Sequence, residues 1–222
     1  MALRDAVMAA LLEGEASGYD LAKAFDASVA NFWMSTPQQL YRELERMAGE
    51  GLVTARVVRQ ERRPDKRLFS LTEAGREAVR AFTAEPSGRP TAVRDDVMVK
   101  VQCLDAGDGE AVRAAVVQRM EWATAKLARY ERLRQRLLEG RSEEAYFAEA
   151  ERIGPYLTLL RGMAFERENL QWGDIALRRI DQRLAARRGE SREEDVGREE
   201  NKAHEEGGRA GGAAGPGRAP RP

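Results

Sequence analysis

The chain has 222 residues, of which 42% are hydrophobic and 33% charged, a balance typical of a soluble, helix-rich protein with one large or two small domains. Its 37 basic and 37 acidic residues cancel, which excludes a uniformly basic nucleic-acid coat. A single histidine (His204) and a single cysteine (Cys103) exclude a Cys/His zinc site, an intrachain disulfide and a histidine-based triad. The short N-terminal apolar run predicts neither a membrane span nor a leader, so we expect a cytoplasmic protein with no membrane partner.

The first predicted elements are two short helices. An apolar repeat with helical spacing begins at Leu3 and is closed by Gly14. Ser17 is expected to cap a second helix over about residues 18–27, with Asp20 completing a capping-box pattern. The residues that this second helix should bury are Tyr19, Leu21, Ala22 and Phe25.

The third helix has the strongest start in the chain. Thr36 can cap it, Pro37 loses no hydrogen bond at the first helical position, and Gln39 can bond back to the cap. The stripe that should face the core consists of Leu40, Leu44 and Met47.

The segment after the third helix has the pattern of a β-hairpin with a basic tip. Residues 52–59 are rich in valine and alternate enough for a strand, and 67–71 return as a second strand. Pro64 and Asp65 favour the turn between them. Residues 56–67 contain six basic side chains against two acidic ones, so this wing can neutralise phosphates beside a helix in the major groove.

The remainder is predicted to be helical and to form a homodimer. Residues 86–90 have the composition of a linker, and helices are expected over 91–104, 110–139 and 142–188, with an interruption at Gly154 and Pro155. Two long amphipathic helices joined by a short turn cannot easily bury their apolar stripes within one chain, which favours a partner copy.

The predicted fold class is therefore mainly α with a small β-hairpin wing. We expect a winged helix-turn-helix DNA-binding domain over 1–85 and a long-helix dimerisation domain over 91–188. The tail over 189–222 contains one large aliphatic residue, Val196, and is expected to be disordered because it cannot bury enough apolar surface.

Several stretches together carry a family likeness: SGYDLAKAF, then FW, QLYRELERMAGEGLV, RRPDKRLFSLTEAGREAV and, near the C-terminus, LRGMAFERENLQWGDIAL. They resemble the PadR family of transcriptional regulators, in the long subgroup related to virulence activators, over about residues 1–185. The resemblance implies a homodimer that binds inverted-repeat operator DNA, usually as a repressor. In many such regulators a phenolic or other small aromatic effector releases the DNA. The operator sequence does not carry over, because the recognition helix here opens with its own residues, TPQQLY.

The first two turns of the third helix carry side chains that can read bases. Glutamine at 38 and 39 can read adenine and Arg42 can read guanine, although a solvated helix face is the alternative. Tyr41 can reach a phosphate or pack on the wing, and Arg46 can meet a phosphate or an acidic neighbour. The predicted DNA-contacting residues are Thr36, Gln38, Gln39, Tyr41, Arg42, Arg46, Arg62, Arg63, Lys66 and Arg67.

Arg63, beside Pro64, occupies the place of a minor-groove arginine at the wing tip. We predict that Arg63→Ala weakens DNA binding broadly and lowers the salt slope by about one if one phosphate contact is lost.

An effector site is a second hypothesis. Trp122, Met163, Phe165 and Trp172 lie in the predicted dimer helices and can line a cavity for a flat apolar ligand, the alternative being plain core. Cys103 has apolar neighbours and is expected to be a buried, inert thiol rather than an oxidant sensor.

Two other function classes differ from a DNA-binding regulator. A winged-helix module that binds an acidic protein partner instead of DNA would have the same pattern. An enzyme is not expected, because the sequence has no glycine-rich phosphate loop, no metal-ligand spacing and no paired carboxylates; we expect no cofactor and no metal.

Overall fold

A computed structural model of the chain describes residues 3–24, 35–59, 65–86, 88 and 94–210, with side chains up to residue 189. In chain order the elements are α1 (Leu3–Leu11), β1 (Ala16–Ser17), α2 (Gly18–Ala24), α3 (Pro37–Gly49), β2 (Val53–Val58), β3 (Lys66–Leu71), α4 (Glu73–Ala84), α5 (Asp96–Gln102), α6 (Gly109–Leu138), α7 (Glu143–Glu149) and α8 (Gly154–Ala210). The mainly helical fold with a small β component is confirmed. Among the described residues, no helix has both the length and the apolar content needed to cross a bilayer.

The chain forms two compact units. The first comprises Met1–Arg94 and Trp122–Asn169, and the second comprises Asp95–Glu121 and Leu170–Pro222. The long helices α6 and α8 each contribute to both units, so these units differ from the two consecutive domains expected from the sequence.

The sheet has three antiparallel strands in the order β1-β3-β2, one more than the predicted hairpin. Val53 pairs with Leu71 and Val58 with Lys66, which gives the expected wing strands. Strand β1 lies along the other edge of β3, with Ala16 opposite Phe69. A two-residue strand is too short to show an alternating pattern, which is why the sequence did not reveal it. The predicted contacts Arg62 and Arg63 lie outside the described residues.

Helix α3 begins and ends with local hydrogen bonds. The Gln39 backbone N–H donates to Thr36 Oγ1 (3.2 Å), and the Thr36 backbone N–H donates to Gln39 Oε1 (2.9 Å), so the predicted capping box is present. At the other end Gly51 has a positive φ of 73°, and the Leu52 N–H donates to the carbonyl of Met47 (2.9 Å), as in a Schellman motif. This ending fixes the direction in which β2 leaves the helix.

The core of the winged part lies beneath α3. Leu40, Leu44 and Met47 are almost fully buried, as predicted. Tyr19 was expected to be buried as well, and this was wrong, because its side chain is 69% exposed while Leu21 is buried. Residues two positions apart lie on nearly opposite sides of a helix, so α2 cannot bury both. The other members of this core are Val7, Met8, Leu11, Val53, Phe69 and Leu71.

A junction around Leu52 connects α3, the wing and α4. Thr72 caps α4 by accepting from the Gly75 N–H (3.0 Å), and its hydroxyl donates to the Gly51 carbonyl (2.7 Å). The Thr72 N–H donates to the Leu52 carbonyl (3.1 Å). A Cβ on Gly75 would overlap that carbonyl oxygen and lie 3.1 Å from Cδ2 of Leu71. Only glycine fits at this position without displacing backbone.

A second core joins α6, α7 and the first part of α8 in the same unit. Tyr130 and Tyr156 are fully buried beside Met163. Burial, and next the negative charge of Glu166, raise the pKa of Tyr130 to about 12. Glu166 is itself buried and pairs with Lys126 (2.8 Å), so its charge is compensated.

The first unit also contains a long-range contact from the segment before α8. Arg152 Nη1 donates to the carbonyl of Leu12 (2.6 Å), and Nη2 donates to the Glu13 carboxylate (3.3 Å). This guanidinium therefore binds the turn between α1 and β1.

The second unit has its own small core of Val97, Val112, Val116 and Ile180. Arg119 and Asp95 form a mostly buried ion pair at the start of α5 (2.6 Å). The same Asp95 caps α5 through the N–H of Val97 (3.1 Å). Cys103, which follows α5, is exposed, so the expectation of a buried thiol was wrong; its neighbours Val101 and Leu104 occupy the apolar face instead.

Helix α8 differs from the sequence-based expectation at both ends. The interruption falls at residues 150–153, and Pro155 lies in the first turn of α8, where proline costs no hydrogen bond. The helix continues to Ala210, whereas disorder was expected from 189. Residues 190–210 contain seven glutamates and three arginines, residue types whose helix propensities are favourable.

Candidate nucleic-acid interface

The exposed face of α3 carries the side chains best placed to contact a groove. Gln38, Tyr41 and Arg42 follow one another at i, i+3 and i+4 and are exposed. Gln38 and Arg42 make no hydrogen bond or ion pair with the described part of the chain. Their donors and acceptors are therefore available to an external partner.

Two predicted contacts at the start of α3 already have intramolecular roles. The Thr36 hydroxyl accepts from the helix, and the side-chain oxygen of Gln39 accepts from the Thr36 backbone. The amide nitrogen of Gln39 and the hydroxyl of Thr36 can still donate outward. Both residues position the helix start.

Arg46 is held on its own helix rather than extended outward. Its Nη2 donates to both carboxylate oxygens of Glu43 (2.5 and 2.6 Å), and this raises the pKa of Arg46. Glu43 is buried and also lies 3.7 Å from Nε of Arg4 in α1. The structure thus gives Arg46 the acidic neighbour that the sequence offered as one of two alternatives.

Tyr41 packs against the start of α2. A Cβ on Gly18 would overlap Cε1 of the Tyr41 ring and lie 2.8 Å from its Cδ1. The ring is nevertheless 44% exposed. Tyr41 therefore lies at the junction of α2 and α3, with one edge open to a ligand.

The described cations of the wing base also have carboxylate partners. Lys66 Nζ lies 2.7 Å from Asp20 of α2, and Arg67 Nη1 lies 2.5 Å from Glu45 of α3. The Arg67 guanidinium also stacks over the ring of Phe69, 5.2 Å from its centroid. These pairs hold β3 against both helices.

Between these elements lies an open groove of about 480 Å³. Its lining residues are Ser17, Gly18, Tyr19, Asp20, Tyr41, Glu45, Asp65, Lys66, Arg67 and Phe69. Tyr41, Lys66 and Arg67 of the predicted set line this one groove. The sequence did not predict Tyr19, Asp20 or Glu45 as residues of this site. Glu45 lies three positions after Arg42 and four after Tyr41, so helical spacing alone could have placed it on this face.

The four candidate effector residues have different surroundings. Met163 is buried in the core with Tyr130, and Trp172 packs on the core of the second unit. Trp122 is 64% and Phe165 40% exposed, so these two side chains are not plain core.

Sequence comparison identifies two family regions in this chain. Residues 7–81 match the "Transcriptional regulator PadR-like family", and residues 93–181 match "Virulence activator alpha C-term". The chain is 32% identical over 183 residues to the "Probable transcriptional regulator Rv1176c" of Mycobacterium tuberculosis, spanning 78% of this chain and 95% of that protein. It is 26% identical over 182 residues to the "Negative transcriptional regulator PadR" of Bacillus subtilis, spanning 81% of this chain and 97% of that one.

Solved structures have the same fold. Bacillus subtilis PadR in complex with operator DNA superposes with a TM-score of 0.64 at 24% identity, over 80% of this chain and 98% of that one. The same protein in complex with p-coumaric acid gives a TM-score of 0.59 at 24% identity, over 81% and 98%. With both sequence regions matched and a relative above 30% identity over most of its length, the chain belongs to the PadR family of transcriptional regulators.

Proposed function

We propose that this regulator binds an inverted-repeat operator as a homodimer and represses transcription by occluding the promoter. The observation that carries the proposal is the exposed face of α3, where Gln38 and Arg42 have no partner among the described residues. Glutamine and arginine are the side chains that read adenine and guanine in the major groove. The relative from Bacillus subtilis is described as a negative regulator, which supports repression, and its structure was solved with operator DNA, which supports DNA as the ligand.

In this proposal the wing binds the backbone beside the groove that α3 enters. Arg62, Arg63, Lys66 and Arg67 supply phosphate contacts, and Tyr41 contributes its exposed ring edge or hydroxyl. Two copies present two α3 helices to successive major grooves, about 34 Å apart.

The dimer is proposed to use residues 91–188. Large apolar side chains of the long helices are exposed in the single chain, and a partner copy would cover them. These side chains are Trp122, Leu157, Phe165 and Ile175.

Binding is tested with a labelled duplex from the region upstream of the chain's own coding sequence. We expect retention that exceeds that of a shuffled duplex and weakens steeply as salt rises. Equal retention of both duplexes would contradict sequence-specific binding. No retention of either in dilute buffer would leave the winged-helix protein-interaction module as the better function. Size-exclusion chromatography with light scattering tests the dimer.

We also propose that a small aromatic effector releases the DNA, as the p-coumaric acid complex of the Bacillus protein suggests for a relative. Trp122, Met163, Phe165 and Trp172 remain the candidate contacts. Because two of them are tryptophans, titration with a panel of aromatic acids should change the tryptophan emission. No change across the panel, together with unaltered DNA retention, would contradict this part of the proposal.

A further inference from the structure

The base of the wing is electrically neutralised within the protein before any DNA is present. Lys66 pairs with Asp20 and Arg67 with Glu45, at 2.7 and 2.5 Å. Glu45 also accepts from Arg67 Nη2 at 3.4 Å, so both guanidinium nitrogens face the same carboxylate. Two of the four wing cations predicted to meet phosphate therefore already have anionic partners.

Among the described residues, more acidic than basic side chains line the groove beside these pairs. The acidic ones are Asp20, Glu45 and Asp65, and the basic ones are Lys66 and Arg67. A surface built solely to attract phosphate would not place three carboxylates among its cations, because carboxylate and phosphate repel each other. The acidic residues thus repel DNA phosphate, in addition to holding the wing in position.

Both ion pairs are weak enough for the cation to exchange its carboxylate partner for a phosphate. The side chains of Asp20 and Glu45 are 45% and 54% exposed, and ion pairs at such positions contribute little to stability. The hydrogen bond from Lys66 is the largest cause that lowers the pKa of Asp20, as expected for a carboxylate paired with a cation.

We propose that Glu45 and Asp20 are intramolecular competitors of DNA phosphate that limit the affinity of this regulator for duplex DNA. Phosphate contact by Arg67 or Lys66 requires that the carboxylate be released, and the released carboxylate then lies close to the DNA backbone. This inference rests on the proposed DNA binding through α3 and the wing. It goes beyond that proposal because it names acidic residues whose neutralisation tightens DNA binding.

The test compares Glu45→Gln with the parent chain on the upstream duplex and on a shuffled duplex at one fixed salt concentration. We expect Glu45→Gln to bind both duplexes about fivefold or more tightly, as an exposed pair of good geometry and the removed repulsion imply. Glu77→Gln is the matched control. Glu77 pairs with Arg80 on α4, is exposed and is absent from the groove lining, so its removal should leave affinity nearly unchanged.

A double-mutant cycle separates competition from a general charge effect. In an Arg67→Gln background, Glu45→Gln relieves only the repulsion between its carboxylate and DNA phosphate. The gain in DNA affinity should therefore be up to about fivefold smaller than in the parent. Asp20→Asn and Lys66→Gln form the equivalent cycle for the second pair. Thermal unfolding of each variant shows whether the fold is retained.

Each outcome supports or overturns the inference. Tighter binding by Glu45→Gln alone, with a smaller gain when Arg67 is absent, supports it. Equal gains for Glu45→Gln and Glu77→Gln, equal gains in both backgrounds, or weaker binding by Glu45→Gln would overturn it while leaving DNA binding intact. A parent chain that retains no duplex at all would remove the proposed function and this inference together.

Discussion

The junction around Leu52 makes a specific prediction for Gly75→Ala. A methyl group there would overlap the Leu52 carbonyl oxygen and approach the carbonyl carbon to 3.2 Å. That oxygen cannot easily move, because it accepts from the N–H of Thr72 (3.1 Å). Overpacking of this kind costs about 1–3 kcal/mol, and a backbone obstacle favours the upper end. Replacing a helical glycine by alanine returns about 0.5–1 kcal/mol.

The expected net loss is therefore about 2 kcal/mol, which lowers Tm by about 4–8 °C in a protein of this size. Far-UV circular dichroism during thermal and urea unfolding measures it. Gly49→Ala is the matched control, since Gly49 is also helical and a Cβ there would meet nothing within 4 Å. The control should be stabilised by about 0.5–1 kcal/mol. If Gly75→Ala is as stable as Gly49→Ala, the reasoning from the Leu52 carbonyl is refuted.

Three further predictions concern single side chains. Arg42→Ala should weaken operator binding by about 1–3 kcal/mol if it reads a base; unchanged fluorescence anisotropy titrations would exclude this role. Because burial raises the pKa of Tyr130 from 10.0 to about 12, its contribution to stability is complete below pH 10 and is lost between pH 10 and 12. Urea unfolding should show about 3 kcal/mol of this loss in the parent and none of it in Tyr130→Phe. Lys66→Gln should raise the pKa of Asp20 toward 3.8, and an unshifted carboxyl NMR titration would contradict the Lys66–Asp20 pair.

The sequence predicted the elements that depend on local rules. The start of α3 follows from Thr36, Pro37 and Gln39, whose effects act within one helical turn. Its core face follows from the spacing of Leu40 and Leu44. The wing strands follow from the valine content and alternation of the segment. The helix start, its core face and both strands appear in the structure.

The features that the sequence did not predict depend on long-range contacts. Glu45 and Arg67 are separated by 22 positions, and no local pattern shows that they meet. The exposure of Cys103 also depends on how α5 turns its apolar face toward α6 and α8, since the nearby Val101 and Leu104 are indeed apolar. For the candidate site, this means that the exposed residues of α3 were predictable from the sequence. The ion pairs that Lys66 and Arg67 form at the base of the wing were not.

The contact of Arg152 with the turn at Leu12 and Glu13 joins two parts of the first unit that are far apart in the sequence. That turn leads directly into β1, whose Ala16 is hydrogen-bonded to β3. β3 in turn carries Lys66 at its start. The segment that precedes α8 is therefore connected, through this turn and β1, to the strand that forms one side of the wing.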